Sequence, residues 1–292
     1  MKALVKGVRG ELMAPHTAWR IGGPADIFLS VATTDDLIEG FVAARAQGLP
    51  TFILGGGTNI LVADKGIRGV VIQNEVKDVK VEGTRVVATA GTAMAHIAAV
   101  AARSGIAGLE FAAAIPGTVG GAVHGNSGAF GTETKDVLEE VALADAEGNV
   151  RVVTASSLGF RYRYSVLKEI PDLVLQATLR GRSGDRDSVV RRIKEMANER
   201  LAKQPLNKPN CGSVFKNPPG DAAGRLAEAV GAKGLRIGGA VVSEKHANFI
   251  VNTGDATAAH VRALIEEIQR RVFETFAVKL EPEVEFIGEW DA

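Results

Sequence analysis

"LGGGTNILVAD", residues 54–64, follows the short apolar run "TFIL" and decides how the N-terminal half is built. Aromatic and β-branched residues before three glycines read as a buried strand running into a tight turn. In a Rossmann fingerprint the glycines open a helix, but here "ILVAD" continues as strand. No Gly-Lys-Ser/Thr follows, so the loop is not a P-loop either. Gly55, Gly56 and Gly57 permit positive φ and a close backbone approach to an anion, while Thr58 and Asn59 add side-chain donors. A pyrophosphate held by loop amides and a plain interstrand turn both fit this loop.

A second segment, "IPGTVGGAVHGNSGAFGTE" at 115–133, shifts that balance. Gly117, Gly120, Gly121, Gly125, Gly128 and Gly131 crowd together there, and each loses extra chain entropy on folding. Such a cost makes sense where backbone must lie against a flat or anionic ligand, and two glycine loops suit an elongated dinucleotide. His124 reads as a hydrogen-bonded scaffold residue before it reads as a ligand or covalent tether.

Around these loops, Thr34-Asp35-Asp36 reads as a helix cap, followed by Leu37, Phe41, Val42 and Ala46 on one face, and Gly48 with Pro50 ends that helix. "GVVI", "VKVEG" and "TRVVATAG" are strand-like, a second helix fits 92–103, and "VALADAEGNVRVVTA" reads as a hairpin over Glu147-Gly148-Asn149. Residues 112–131 show no period, and "DLVLQATLRG" alternates like an exposed strand. "GRSGDRDS" at 181–188 is the clearest boundary. Beyond it, Val189, Val190, Ile193, Met196, Ala197 and Leu201 mark one amphipathic helix, and Val261, Leu264, Ile265, Ile268, Val272 and Phe276 another. The expectation is α+β: residues 1–182 as a larger glycine-rich domain with two subdomains split near 70, residues 188–278 as a smaller domain, and 279–292 as a closing strand.

Composition narrows the function classes. The 292 residues carry 34 Lys+Arg against 34 Asp+Glu, which argues against a nucleic-acid footprint or membrane patch. Hydrophobic residues make up 46%, as in a well-filled globular chain. No apolar run is long enough to span a bilayer and the N-terminus lacks a signal-peptide core, so a cytoplasmic protein is expected. One cysteine allows neither an internal disulfide nor a thiolate metal cluster, and no metal is expected.

That cysteine lies in "NKPNCGSVFKNPPG", 207–220, between the two helical patterns. Cys211 is a possible nucleophile with His246 or His124 as a distant base, but a single cysteine is more often a small buried hydrophobe. Ser213 alone would read as a turn residue.

"TAWRIGGPAD" at 17–26, "LGGGTNILVAD", "IPGTVGGAV", "YRYS" at 162–165, "GSVFKNP" at 212–218, "KHANFIVN" at 245–252 and "LEPEVEFIG" at 280–288 occur in this order. Together they resemble the MurB family, the UDP-N-acetylenolpyruvoylglucosamine reductases of peptidoglycan and cell-wall synthesis, over nearly the whole chain. The resemblance implies an FAD-binding domain of the vanillyl-alcohol-oxidase/PCMH-like type, a C-terminal substrate domain, and a last strand that returns to the active site. It implies non-covalent FAD reduced by NADPH, then hydride transfer to the enolpyruvyl ether of UDP-N-acetylglucosamine enolpyruvate, giving UDP-N-acetylmuramate. With no tyrosine after Tyr164, the chain is similar to the shorter family type that lacks the tyrosine loop. Ala114 stands where the family commonly has Gly, and Thr58 where Ser is commoner.

Carried over onto matching positions, the resemblance implies Ser213 as proton donor, Arg163 as the catalytic arginine and Glu283 as the catalytic glutamate. It puts Gly55, Gly56, Gly57, Thr58, Asn59, Gly117, Thr118, Gly120, Gly121 and Ala122 at the FAD. Lys203, Lys216, Asn217, Arg225 and Asn248 are candidates for the UDP-sugar. By residue type alone Arg161 competes with Arg163, and Glu281 and Glu285 with Glu283; only the motif spacing separates them. An FAD-linked oxidase or dehydrogenase acting on a hydroxy acid is the alternative, but it leaves "GSVFKNP" and "PEV" without roles.

Overall fold

A computed structural model describes Leu4 and residues 6–291. The chain divides into two compact units that interleave in sequence. The first holds the chain up to Arg9, Ile27–Gly56 and Gly69–Glu199; the second holds Gly10–Asp26, Gly57–Arg68 and everything from Arg200 on. This differs from the linear division expected from the sequence: residues 10–26 and 57–68 cluster with the C-terminal segment. Long-range pairing causes the difference. Trp19 is fully buried and its Nε1–H donates to the Ile250 carbonyl at 2.7 Å, while Asn252 Nδ2 donates to the Trp19 carbonyl at 2.9 Å.

In the first unit, Thr51–Leu54 pairs in parallel with Ile67–Asn74, Leu54 opposite Gln73. The helix Thr34–Ala46 buries Leu37, Phe41 and Ala44 beside Val70 and Ile72. Its N-cap is Thr33, one residue earlier than the sequence suggested, with the hydroxyl accepting from Asp36 N–H at 3.1 Å.

A five-stranded antiparallel sheet runs in the order Val150–Thr154, Leu138–Ala144, Leu173–Arg180, Arg85–Thr89, Val79–Glu82. The first two strands form the expected hairpin over Gly148. Leu173–Arg180 is the central strand and almost wholly buried, not exposed as its alternation suggested. Flanked on both sides and packed into two cores, its Val174 joins one cluster and Leu173 and Leu175 another. The aperiodic 112–131 segment holds a short helix, Val119–Gly125, whose Gly content hides its period. The boundary at 181–188 is also less open than it reads. Arg182–Ser183 pairs with Ile106–Ala107, and the next helix already starts at Arg186.

The second unit is a three-stranded sheet, Arg236–Ile237, Ala240–Val242 and Ile250–Asn252, under the long helix Ala258–Phe276. Val261, Leu264, Ile265, Ile268 and Val272 of that helix pack with Trp19, Leu61, Val214 and Phe215 in one apolar cluster. Asp64, just past the glycine loop, caps this helix from a distant segment: Ala258 N–H and Ala259 N–H donate to its two carboxylate oxygens at 2.8 and 3.0 Å. The closing strand is short, Glu285–Ile287, and pairs in parallel with Ile60–Val62.

Candidate active site

The two glycine loops meet at Gly55 and Thr118. In the first unit, a Cβ on Gly55 would lie 2.5 Å from Thr118 Oγ1, so only glycine lets the loops touch. Thr118 is the N-cap of Val119–Gly125 and its hydroxyl accepts from Gly121 N–H at 3.5 Å. Gly56 and Gly121 are exposed and carry no side chain, which leaves bare backbone beside this contact. Gly117 has φ 105 and its carbonyl accepts from Met94 N–H at 3.0 Å. Such a bare, amide-lined surface suits the long anionic chain of a dinucleotide.

Two of the residues expected at the cofactor are packed inward. Gly120 lies against the Ala90 backbone, where an added Cβ would be 3.0 Å from Ala90 Cβ, and Ala122 is buried in the first core. Both serve close packing of the short helix, and any ligand contact from them is through backbone.

Arg163 belongs to the first unit. The bridge between Arg161 and Tyr164, two N–H···O bonds of 3.1 Å, closes a tight turn with Tyr162 and Arg163 at its centre. Arg163 has φ 56, in the left-handed region that a side chain resists. Its Nη2 donates to the Gly128 carbonyl at 3.5 Å and its guanidinium lies 4.8 Å from the Tyr162 ring centre. Arg161 is exposed and stacked on Tyr164 at 4.0 Å, so the two arginines occupy different settings. Below the turn, Ser165 is fully buried and its hydroxyl donates to the His124 carbonyl at 2.7 Å. The sequence favours a scaffold role for His124 over a ligand role, and here its backbone carbonyl anchors the turn.

Ser213 and Glu283 are brought together within the second unit. Glu283 N–H donates to the Val214 carbonyl at 2.8 Å, Lys216 N–H to the Glu281 carbonyl at 2.9 Å, and Phe215 bridges Pro282. The residue after the proposed proton donor is thus in backbone register with the proposed glutamate. Asn59 locks this pairing from the glycine loop: its Nδ2 donates to the Glu283 carbonyl at 3.0 Å, and its own carbonyl accepts from Glu285 N–H at 3.0 Å. Asn59 was expected at the cofactor; here its amide holds the Glu283 backbone. Gly57, at φ 61, is packed so closely that a Cβ would collide with the His16 carbonyl oxygen.

The loop before Ser213 is equally fixed. Gly212 takes φ 84, and its N–H donates to Asn210 Oδ1 at 2.9 Å. Asn248 is 3% exposed and clamps the next residues: Phe215 N–H donates to its Oδ1 and its Nδ2 donates to the Phe215 carbonyl, both at 2.9 Å. With its amide bonded at both ends and its backbone carbonyl taken by Val214 N–H, Asn248, a candidate for the UDP-sugar, also holds the loop that carries Ser213. Cys211 is buried, and burial together with the nearby Glu283 charge pushes its thiol well above the usual range. A thiol so held is not a nucleophile at neutral pH.

Of the UDP-sugar candidates, Lys203 is exposed at the end of its helix. Lys216 Nζ pairs with Glu281 at 3.3 Å. Asn217 Oδ1 accepts from Ala223 N–H at 3.0 Å, at the start of Ala223–Ala229. Arg225 pairs with Asp221 through two nitrogens, and that cation holds the Asp221 carboxyl at about 2. An anion reaching Lys216 or Arg225 would exchange with those carboxylates.

Residues the sequence reading missed include Asn126, Glu133 and Asp64. Asn126 is completely buried in a left-handed conformation, φ 46, which Asn tolerates better than most residues. Its place before Ser127-Gly128 was the available signal.

Comparison with known proteins agrees with this geometry. The family model described as "UDP-N-acetylenolpyruvoylglucosamine reductase, C-terminal domain" matches residues 204–287, and "FAD binding domain" matches 25–154, which spans both glycine loops. The UDP-N-acetylenolpyruvoylglucosamine reductase of Caldanaerobacter subterraneus is 46% identical over 280 residues, covering 96% of this chain and 93% of that protein. The chain belongs to the UDP-N-acetylenolpyruvoylglucosamine reductase (MurB) family. A relative of that name from Carboxydothermus hydrogenoformans is 45% identical over 97% of this chain and 94% of its own length. The crystal structure of MurB from Thermus caldophilus superposes with a TM-score of 0.84 at 34% identity, covering 97% of this chain and 99% of that one. These relatives favour the reductase over the hydroxy-acid oxidase. The fold is that of an FAD-binding domain joined to a MurB C-terminal domain. Among the described residues, no helix is long and apolar enough to cross a membrane.

Proposed function

We propose that this chain is a cytoplasmic enzyme that reduces the enolpyruvyl group of UDP-N-acetylglucosamine enolpyruvate to UDP-N-acetylmuramate, a step of peptidoglycan synthesis, with NADPH as the hydride source. The register that sets Val214, next to Ser213, opposite Glu283, with Asn59 bonded to the Glu283 carbonyl and to Glu285 N–H, is the observation that carries the reading. Non-covalent FAD, held along Gly55, Gly56, Thr58, Gly117, Thr118 and Gly121, supplies the hydride carrier between NADPH and the substrate. Every further step belongs to the protein. Hydride addition to an enol ether bearing a carboxylate builds negative charge on the adjacent carbon and into that carboxylate. Arg163 matches that charge with a planar guanidinium, whose fork fits a carboxylate. Ser213 delivers the proton. A serine hydroxyl is a weak acid, so it works only toward a strongly basic carbon and from a fixed position, which the Asn210, Gly212 and Asn248 contacts supply. Glu283 hydrogen-bonds the substrate carboxyl or orients the proton, provided one of the two carboxyls is protonated or the guanidinium offsets the repulsion. Lys203, Lys216, Asn217 and Arg225 hold the UDP-sugar, the cations on its diphosphate.

The test separates two half-reactions. Purified protein should be yellow and should bleach anaerobically with NADPH, and UDP-N-acetylglucosamine enolpyruvate should restore the colour. Ser213→Ala should still bleach but recover about 10²–10⁴-fold more slowly. Recovery at the full rate removes Ser213 as proton donor, and a protein that never takes up FAD removes the whole reading.

A further inference from the structure

Arg163 holds a backbone position that glycine would fill more easily, so the chain tolerates strain there to present a side chain. The turn alone does not decide where that long side chain points. Glu133 Oε1 stands 3.8 Å from its Nη1, and the side chains of the pair are only 20% and 19% exposed. At that exposure the attraction is less screened than in a surface pair. Glu133 is itself fixed. Its Oε2 accepts from Asn126 Nδ2 at 3.1 Å and from Lys135 Nζ at 2.9 Å. The same Asn126 Nδ2 donates to the Arg161 carbonyl at 2.9 Å, and Asn126 Oδ1 accepts from Lys135 N–H at 3.0 Å. Glu133 also faces Gly128 across a two-stranded ribbon, and Gly128 supplies the carbonyl that Arg163 Nη2 reaches. One buried asparagine therefore ties the carboxylate to the start of the turn that carries the arginine.

We propose that Glu133 is a positioning residue for Arg163: its carboxylate, locked by Asn126, aims the guanidinium at the substrate carboxylate. This rests on the reading of Arg163 as the group that holds that carboxylate. At 3.8 Å the pairing orients the guanidinium by charge and not by a direct hydrogen bond. A closer, bidentate pair would compete with the substrate.

A double-mutant cycle on the FAD-loaded, full-length protein tests this. Glu133→Gln keeps an oxygen for Asn126 and removes the charge. NADPH bleaching and FAD retention should be unchanged, while recovery with UDP-N-acetylglucosamine enolpyruvate slows about 10–100-fold. Glu133→Asp should regain part of the rate. In an Arg163→Ala background, Glu133→Gln should add no further loss, because its effect runs through the arginine. Equal losses with and without Arg163 would mean a structural role and overturn the proposal. Full recovery in Arg163→Ala would overturn the reading of Arg163 and the proposal with it. Slow recovery in Arg163→Ala with full recovery in Glu133→Gln would overturn the positioning role alone. If Glu133→Gln fails to retain FAD, the cycle is run with Glu133→Asp.

Discussion

The loop at 210–217 and the turn at 161–164 solve the same problem in opposite ways. Each must bend sharply and present one polar side chain. In the loop, Gly212 takes the positive φ, so Ser213 is delivered from relaxed backbone. In the turn, Arg163 takes the positive φ itself. Support follows the same split. The loop is pinned by an asparagine amide on backbone, Asn248 on Phe215, whereas the turn also carries an ion pair on the proposed catalytic side chain. A small donor needs only its backbone fixed; a long cation needs its far end held as well.

Arg163→Gly is the strongest way to break this contrast. It should reduce the substrate-dependent reoxidation rate by about 10²–10³-fold, the scale of losing one charge-stabilising group. It should also raise stability by about 1 kcal/mol, since relief of left-handed strain outweighs the added chain entropy of glycine. Thermal melts beside stopped-flow traces check both signs, and a destabilised variant would show that the lost Glu133 and Gly128 contacts outweigh the strain. Asn248→Ala comes next. It strands the Phe215 N–H and carbonyl, both buried, and should lower stability by about 2–4 kcal/mol. Denaturant midpoints should shift with the slope unchanged. Gly212→Ala meets no atom within 4 Å of its new Cβ, so any cost is conformational alone, about 1–2 kcal/mol. A neutral result would mean that the loop can relax around Ser213. The smallest effect is expected from Cys211→Ala, which should leave kcat essentially unchanged. With its thiol pushed up by burial and by Glu283, native Cys211 should also resist iodoacetamide at pH 8. Rapid labelling would reopen its case as a nucleophile.

These tests also mark where the sequence was legible. The glycine loops, the hairpin over Gly148 and the helix Ala258–Phe276 announce themselves because turn chemistry and apolar spacing are local signals. The roles proposed for Ser213, Arg163 and Glu283 rest on the resemblance, since each has an ordinary neighbour of the same or competing chemistry. What stayed hidden is non-local. Nothing in "LVADKG" says that Asp64 caps a helix almost two hundred residues later, or that Asn59 grips Glu283, 224 residues away. The short helix Val119–Gly125 was masked by the glycines that make its close packing possible.

The burial of Trp19 also has a consequence for how the protein is made. Its hydrogen-bond partner Ile250 lies 231 residues further along the chain. At ordinary translation speeds the indole waits roughly 10–50 s for that partner to be synthesised. During that interval an aromatic side chain meant for the apolar cluster of the second unit is open to solvent and to chaperones. A nascent chain halted before residue 250 contains no other tryptophan. Its fluorescence should therefore be red-shifted until elongation resumes, and a blue-shifted spectrum from the halted chain would show that Trp19 finds cover earlier.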